Sequence, residues 1–335
     1  MKSPITGREM TLKREPRIMA FRKKNYSVQY HYYYCNDSGQ QFTTADLDEI
    51  NLIQVYNQYR DDHNLPFPEE IRAIRAAYGL SAAKIAEILG LGTNTYRNYE
   101  QGEVPSESNA RLIQVAQDPE EFQKIVTLSG IVQGKQLEKL IAKIEYLIES
   151  RKKKHCVDLE EYLLGSKLPD EYSGYRRPSL KKLSEMVAFF AEHQTPWKTK
   201  LNKLLFYSDF LNFKTTGYSI SGTRYCAIAM GPVPDNFNSI FEWIEKKGYV
   251  TIVEKEFLNG GTGEKFIPAE DHKFNAEMFS ATELNTLKTV AATFYGMSTK
   301  EIIKISHEEK AWIENSNTEN HMISYLNCGF DLNAV

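Results

Sequence analysis

The stretch IRAIRAAYGLSAAKIAEILGLGTNTYRNYEQGEVPSESNARLIQVA, residues 71–116, decides the fold of the first half of this chain. Apolar residues recur at helical spacing in IRAIRAAY, and the glycine of GLS ends that helix before Ser81, a residue type favoured as an N-cap. A second apolar face lies in IAEIL, and GLG makes the next turn. Thr93 or Asn94 is expected to cap a third helix, and Pro105–Ser106 to begin a fourth.

The same stretch resembles the λ-repressor-like helix-turn-helix family, whose pattern has the form GLS…A..LG…….E.G..P. The matching positions are Gly79, Leu80, Ser81, Ala86, Leu89, Gly90, Glu100, Gly102 and Pro105. In that family the third helix enters the major groove, and outward residues near its N-terminus reach the base edges. The resemblance implies a homodimer, operator DNA as a partner, and base contacts from Thr93, Asn94, Thr95, Arg97 and Asn98, because Asn pairs with adenine and Arg with guanine.

The charge of this region opposes that interpretation. Residues 68–128 contain six Lys or Arg against nine Asp or Glu, and Ala82 stands where the family usually has a DNA-contacting Gln. Since neutralisation of phosphates supplies much of the affinity for DNA, a helical scaffold without a ligand stays an alternative. Basic residues are concentrated instead at the N-terminus, with eight Lys or Arg through Tyr34 against Glu9 and Glu15. This basic ribbon could supply phosphate contacts.

Residues 1–50 are predicted to form a small β unit. Alternating Val28, Tyr30, Tyr32 and Tyr34 indicate one strand, and RIMAFRK a partner strand joined to it by the turn KNYS. The pattern SPITG…CNDSG resembles the zinc ribbon of MqsA-type antitoxins, with Ser3, Thr6, Cys35 and Ser38 at the four ligand positions. One thiol and three hydroxyls are a poor zinc ligand set, so we expect a metal-free ribbon without cofactor and a buried Cys35 in apolar surroundings.

The fold class is therefore predicted as multidomain and mainly α: a β unit at 1–50, a five-helix region at 51–130, a helix and linker at 131–178, and a mostly helical domain at 179–335 with a β-hairpin at NGGTG. The segment 131–178 contains an apolar stripe that needs a partner, either an intramolecular groove or a second subunit. Its members are Leu137, Leu140, Ile141, Ile144, Leu147 and Ile148.

The last 157 residues resemble the SocA-like antitoxin domain, also called Panacea. The strings that carry the resemblance are KLNKLLFYSD within residues 200–209, the segment 217–233 that ends in GPV, and SHEEKAW at 306–312. The first string is expected to be an amphipathic helix and GPVP a rigid turn. His307 is expected at a helix start with Ser306 as its cap.

The combined resemblances imply an antitoxin that binds a protein toxin encoded by an adjacent gene and represses its own operon. Aromatic and neighbouring residues that could contact the toxin are Tyr207, Tyr218, Tyr225, Pro232, Phe237, Trp243, His307 and Trp312. Two alternatives stay open. A ligand-sensing transcription regulator would need a deep apolar pocket in the C-terminal domain. A hydrolase that uses His307 would need a nucleophile and an oxyanion donor, for which the sequence offers no signature, so we expect no catalysis.

The composition agrees with an intracellular protein. The four cysteines, Cys35, Cys156, Cys226 and Cys328, lack paired spacing, so a disulfide framework is not expected. No apolar run approaches the length of a membrane span, and no signal peptide is apparent, so we expect a cytoplasmic location and no membrane partner.

Overall fold

The computed structural model describes residues 1–153, 159–165, 168–256, 260–318 and 321–335, so Cys156 lies outside the described residues. Within them the chain is mainly helical with small sheets near the N-terminus and in the C-terminal region, as the sequence predicts. Two units form, and neither is continuous in sequence: one consists of residues 1–17, 29–54 and 158–335, the other of residues 18–28 and 55–157. Residues 131–153 lie in the same unit as the helix-turn-helix region, and the four predicted segments stay a prediction.

The elements before the linker are β1 (Thr11–Phe21), β2 (Lys24–Tyr34), β3 (Gln41–Phe42), α1 (Ala45–His63), α2 (Pro68–Tyr78), α3 (Ala82–Ile88), α4 (Thr95–Glu100), α5 (Glu107–Val115), α6 (Pro119–Ser129) and α7 (Gly134–Lys153). Those after it are α8 (Leu159–Leu164), α9 (Leu180–Gln194), α10 (Lys198–Thr216), β4 (Tyr225–Ile228), β5 (Gly231–Pro234), α11 (Phe237–Lys246), β6 (Val250–Glu256), β7 (Thr262–Pro268), α12 (Ala281–Thr293), α13 (Thr299–His307), α14 (Lys310–Ile313), β8 (His321–Met322) and α15 (Tyr325–Cys328).

The N-terminal hairpin turns two residues earlier than predicted. Arg22 and Lys23 form the loop between β1 and β2, and KNYS is part of β2 itself. Both loop residues have positive φ, 47° for Arg22 and 68° for Lys23. Positive φ at both central residues is typical of a type I′ turn, whose twist matches that of the flanking strands.

Side-chain amides of α1 pair with the part of β2 that the short strand β3 does not cover, since β3 pairs only with Tyr33 and Tyr34. Asn51 accepts from the backbone N–H of His31 at 2.8 Å and donates to its carbonyl at 3.0 Å. Gln54 pairs with Gln29 in the same way, at 2.8 Å and 2.9 Å. These contacts satisfy backbone groups of β2 that lie beyond the end of β3, so the helix continues the pairing where the short strand stops.

Helices α2 to α6 form the helix-turn-helix region, with the predicted cap at Ser81 and the predicted helix start at Pro105–Ser106. Pro68 lies in the first turn of α2, Ser81 accepts from the Lys84 N–H at 3.2 Å, and Ser106 accepts from the Asn109 N–H at 3.3 Å. The stripe of α7 packs on this region: Leu140 and Ile144 are buried, and the other members are partly buried against the same core. The partner of the stripe is therefore intramolecular, and the homodimer stays a prediction.

Helix α10 is the centre of the C-terminal region. The prediction that it is amphipathic is wrong. Every residue from Lys200 to Phe213 is buried, because α9, α12, α13 and β5 all pack against the helix. A helix that is covered on all sides has no solvent-facing side, so its sequence need not have a polar face. Its lysines and its aspartate must therefore find partners inside the protein.

The string GPVP is a strand and not a turn. It forms β5, which lies at the edge of a sheet of order β5-β4-β8, with Ala227 opposite Pro232 and Tyr225 opposite Pro234. Proline is tolerated there because an edge strand has backbone groups with no neighbour to bond. The predicted hairpin at NGGTG is confirmed, since β6 and β7 pair in antiparallel register from Val250–Pro268 to Glu256–Thr262.

Candidate functional site

Helix α4 presents the predicted DNA-reading residues to solvent. Its buried side is held by Tyr96, whose hydroxyl donates to the Ile71 carbonyl at 2.8 Å, and by Tyr99, whose hydroxyl accepts from Asn109 at 2.9 Å. The opposite side carries Thr93, Asn94, Arg97 and Asn98, which are exposed, and Thr95, which is half-buried. Asn94 occupies the N-cap position without a capping side-chain bond. This arrangement is that expected for a groove-reading helix.

Two arginines near this face are engaged inside the fold. Arg75 bonds to the Glu100 carboxylate through Nε at 2.6 Å and Nη2 at 3.3 Å, and Arg72 donates to the Glu100 carbonyl at 2.9 Å. The carboxylate raises the pKa of Arg75. Together these bonds join α2 to the end of α4, so the Glu of the E.G..P pattern orients α4 and engages two of the arginines of this region.

The remaining cations of residues 68–128 are also mostly engaged. Lys84 pairs with Glu87 and Lys124 with Glu121, each at 2.7 Å, and Arg111 donates to Gln114 at 2.9 Å. Arg97 is the one of the six whose side chain makes neither an ion pair nor a hydrogen bond within the described part of the chain. The five helices alone therefore offer little positive charge for phosphates.

The four predicted ribbon positions, Ser3, Thr6, Cys35 and Ser38, lie in two turns of the same geometry that meet at Cys35. The Gly7 N–H donates to the Ser3 carbonyl and the Gly39 N–H to the Cys35 carbonyl, both at 2.9 Å, and the two glycines have φ of 69° and 68°. The Thr6 hydroxyl lies 3.4 Å from the Cys35 sulfur. Both turns need a residue that tolerates positive φ, and glycine does so without a steric penalty.

The surroundings of Cys35 are polar, contrary to the prediction, although its burial is confirmed at 1% exposure. The neighbouring hydroxyls of Ser3, Ser38 and Thr6 favour the charged form and lower the pKa of the thiol to about 6. Hydroxyls at ligand positions thus stabilise the thiolate that a metal would otherwise bind. Among the described residues, no group of three or more His, Cys, Asp and Glu could hold a metal ion. The zinc-ribbon resemblance itself stays a prediction.

Asp209 of the first C-terminal string holds the loop that precedes β4. Its carboxylate accepts from the backbone N–H groups of Ile220 and Ser221 at 2.8 Å each. It also accepts from the Ser221 hydroxyl at 2.6 Å and from the Tyr225 hydroxyl at 2.8 Å. Burial raises the pKa of Asp209, and these donors oppose that shift. With no exposure, the carboxylate is a structural anchor and faces no solvent-filled site.

The two lysines of the same string hold other segments. The ammonium of Lys200 donates to the carbonyls of Phe294 and Met297 at 2.9 Å and 2.8 Å, which fixes the turn between α12 and α13. The ammonium of Lys203 donates to the Pro232 carbonyl in β5 at 2.8 Å, and burial lowers its pKa to about 7. One helix thereby anchors three separate segments through buried polar groups.

Comparison with known protein families agrees with these strings. Residues 201–313 match the family model described as "Antitoxin SocA-like, Panacea domain". The chain carries a Panacea domain. Residues 71–116 match a second family model, described as "Helix-turn-helix". No curated protein matches the chain. Among the described helices, none is both long enough and apolar enough to cross a bilayer.

The closing string of the Panacea domain is arranged differently from the prediction. His307 is the last residue of α13 and not the first of a helix, and Ser306 donates to the Ile303 carbonyl at 2.8 Å and caps nothing. The imidazole stacks on Trp312 with ring centroids 3.9 Å apart, and the indole N–H donates to the Ile228 carbonyl at 2.9 Å. Burial lowers the pKa of His307. Ser306 and His307 do not form a hydrogen-bonded nucleophile–base pair.

The predicted toxin contacts separate into two groups. Tyr207, Tyr225 and Pro232 are buried in the Panacea core, so they cannot touch a partner directly. The others are half-buried: Tyr218, Phe237, Trp243, His307 and Trp312. Sequence reasoning missed Met230 and Ile313, apolar residues exposed by 48% and 54%. Met230 lies in the turn next to Ile228, and Ile313 follows Trp312.

A cleft of about 770 Å³ lies in the Panacea domain between the end of α9 and the start of α13. Its lining includes Trp197, Tyr295 and Met297, but also four charged residues: Glu192, Lys200, Lys265 and Lys300. This lining differs from the deep apolar pocket expected of a sensor for an apolar ligand.

Proposed function

We propose that the chain is the antitoxin of a toxin–antitoxin pair, whose Panacea domain binds and neutralises a protein toxin encoded by an adjacent gene. The match of residues 201–313 to an antitoxin-like family is the observation that carries this proposal. The helix-turn-helix region represses the operon by binding operator DNA. The chain acts by binding, without catalysis of its own.

The arrangement of the Panacea domain supports a binding role. The polar groups of its characteristic strings bond to backbone groups inside the fold, as Asp209, Lys203 and Lys200 do. Such groups stabilise a surface but have no access to a substrate. Met230 in the turn between β4 and β5 and Ile313 next to Trp312 expose apolar side chains, and the Trp312 indole bonds to Ile228 at the end of β4. Half-buried aromatic residues such as Trp312 are typical anchors of protein interfaces.

A growth assay with the full chain tests the neutralisation. The adjacent open reading frame is induced alone, with the wild-type chain, and with the variant Met230→Asp/Ile313→Asp. We expect the wild type to restore growth and the variant to fail, because two carboxylates in an apolar contact are costly to desolvate. Lys288→Asp, an exposed change on α12, is the control and should still restore growth.

The same assay distinguishes the alternative of a ligand-sensing regulator, which the charged cleft near Trp197 would serve. If no neighbouring gene is toxic, or if the wild-type chain does not restore growth, the antitoxin proposal is wrong. If the chain is instead a ligand-sensing regulator, its affinity for DNA should change when an anionic or mixed polar ligand is added. Loss of that response in Lys265→Gln/Lys300→Gln would place the ligand in the cleft.

A mobility-shift assay with the promoter of the operon tests the DNA-binding part. Arg97→Ala and Asn98→Ala should each weaken specific binding by about 5- to 150-fold, the range for losing one good base contact. Equal binding by wild type and both variants would exclude α4 as the reading helix.

A further inference from the structure

The tip of the N-terminal hairpin carries an unusual turn. Type I′ turns generally contain Asn-Gly or similar residues, since positive φ is unfavourable for residues with a Cβ atom. Here Arg22 and Lys23 take up both positions, and Lys24 follows directly. Three consecutive basic residues are exposed at this tip. Strained backbone is concentrated at functional positions in proteins, so this turn requires an explanation beyond folding.

Arg22 fixes the tip to the segment that ends the reading helix. Its guanidinium donates to the carbonyls of Val104 and Pro105 at 2.7 Å and 2.8 Å, and it also lies over the ring of Tyr59, 5.3 Å from the centroid. Val104 is the residue after Glu103, whose N–H donates to the Asn98 carbonyl at 3.0 Å. The hairpin tip is thus joined to α4 through one short, hydrogen-bonded turn within the same unit.

Of the two lysines at the tip, Lys23 is available for an external anion, and Lys24 is held by one long ion pair. Lys23 makes no ion pair or hydrogen bond within the described part of the chain, and the ammonium of Lys24 lies 4.0 Å from Asp62, with both side chains about half exposed. The acidic residues nearby are Glu103, which is exposed, and Glu107, whose carboxylate lies 3.6 Å from His63. The tip therefore places ammonium groups beside a helix-turn-helix whose own cations are mostly engaged.

We propose that Lys23 and Lys24 bind the phosphate backbone of the DNA duplex whose major groove α4 enters, with Arg22 as the residue that positions them. The inference rests on the DNA binding of the proposed function and adds a second contact surface to it. It accounts for how an acidic helix-turn-helix obtains affinity, since phosphate contacts supply much of the binding free energy and carry no base specificity.

The salt dependence of binding tests this contact. The full chain is titrated with a 30-base-pair duplex from the operon promoter, and with a scrambled duplex, between 50 and 300 mM KCl. Each phosphate contact contributes about 0.9 to the slope of log K against log salt. Lys23→Gln/Lys24→Gln should lower the slope by about 1.8 per bound chain on both duplexes. Asn98→Ala should weaken binding to the promoter duplex and leave the slope unchanged.

The control is Lys135→Gln/Lys139→Gln, which removes the same charge from exposed positions of α7 and should leave the slope within about 0.3 of the wild type. A wild-type slope in Lys23→Gln/Lys24→Gln, together with weaker binding by Arg97→Ala, would overturn the hairpin contact and leave the DNA-binding proposal intact. No binding of either duplex by the wild type at 50 mM KCl would overturn both.

Discussion

Lys203 is predicted to make the stability of the Panacea domain depend on pH. Its ammonium is fully buried and donates to the Pro232 carbonyl at 2.8 Å, and no carboxylate in the described chain pairs with it. Burial lowers its pKa to about 7, whereas an exposed lysine has a pKa of about 10.4. Between these values the unfolded chain keeps a proton that the folded chain has lost.

The sign and the size of the effect follow from this difference. Stability rises with pH wherever the unfolded state binds more protons, so the domain should become more stable from about pH 7 upward. One proton is worth about 1.4 kcal/mol per pH unit, which gives about 2 to 3 kcal/mol between pH 7 and pH 9. Lys200 and Lys214 also have pKa values lowered by burial, so the contribution of Lys203 is the difference between the wild type and Lys203→Met.

Tryptophan fluorescence measures the unfolding of this domain in the full chain. All three tryptophans, Trp197, Trp243 and Trp312, lie between residues 197 and 312. Urea unfolding of the wild type and of Lys203→Met is compared from pH 6.5 to pH 9, with the exposed Lys304→Met as control. The rise in the free energy of unfolding with pH should be smaller in Lys203→Met by about 2 kcal/mol, and in the control it should equal that of the wild type. Parallel profiles for wild type and Lys203→Met would refute the reasoning.

Three further predictions concern other parts of the chain. Gly231→Ala should lower the free energy of unfolding of the Panacea domain in urea by about 3 kcal/mol, because a Cβ atom there would lie 2.5 Å from the Ser306 hydroxyl. The control Gly248→Ala, whose Cβ would meet nothing within 4 Å, should cost about 1 kcal/mol. Equal costs for the two variants would contradict the close contact. Glu100→Ala should destabilise the helix-turn-helix by about 3 kcal/mol, because it leaves Arg75 without its carboxylate. Amide hydrogen exchange in α2 and α4 should become faster. Unchanged exchange would contradict the role of the ion pair. Elemental analysis of purified protein should find no stoichiometric zinc, since Cys35 is the one thiol at the four ribbon positions, and one zinc per chain would disprove that argument.

Much of the helix-turn-helix region could be predicted from sequence. Its caps at Ser81 and Ser106 depend on residues three positions away, and such local bonds can be read from the chain. The exposure of Arg97 and Asn98 follows from the helical period, because Tyr96 and Tyr99 take the buried side of α4. Of the toxin-contact candidates, sequence could not separate buried Tyr207 and Tyr225 from exposed residues, since an aromatic side chain suits a core and an interface equally.

The sequence by itself determined the helical class of the chain, the caps at Ser81 and Ser106 and the strings of the Panacea domain. Only the tertiary structure decided that GPVP is an edge strand, that α10 is buried all round, and that Arg22 attaches the hairpin to the end of the reading helix. The reason is the range of the interactions. Capping and periodicity act over three or four residues, whereas a buried lysine takes its partner from a segment tens of residues away, as Lys203 does with Pro232.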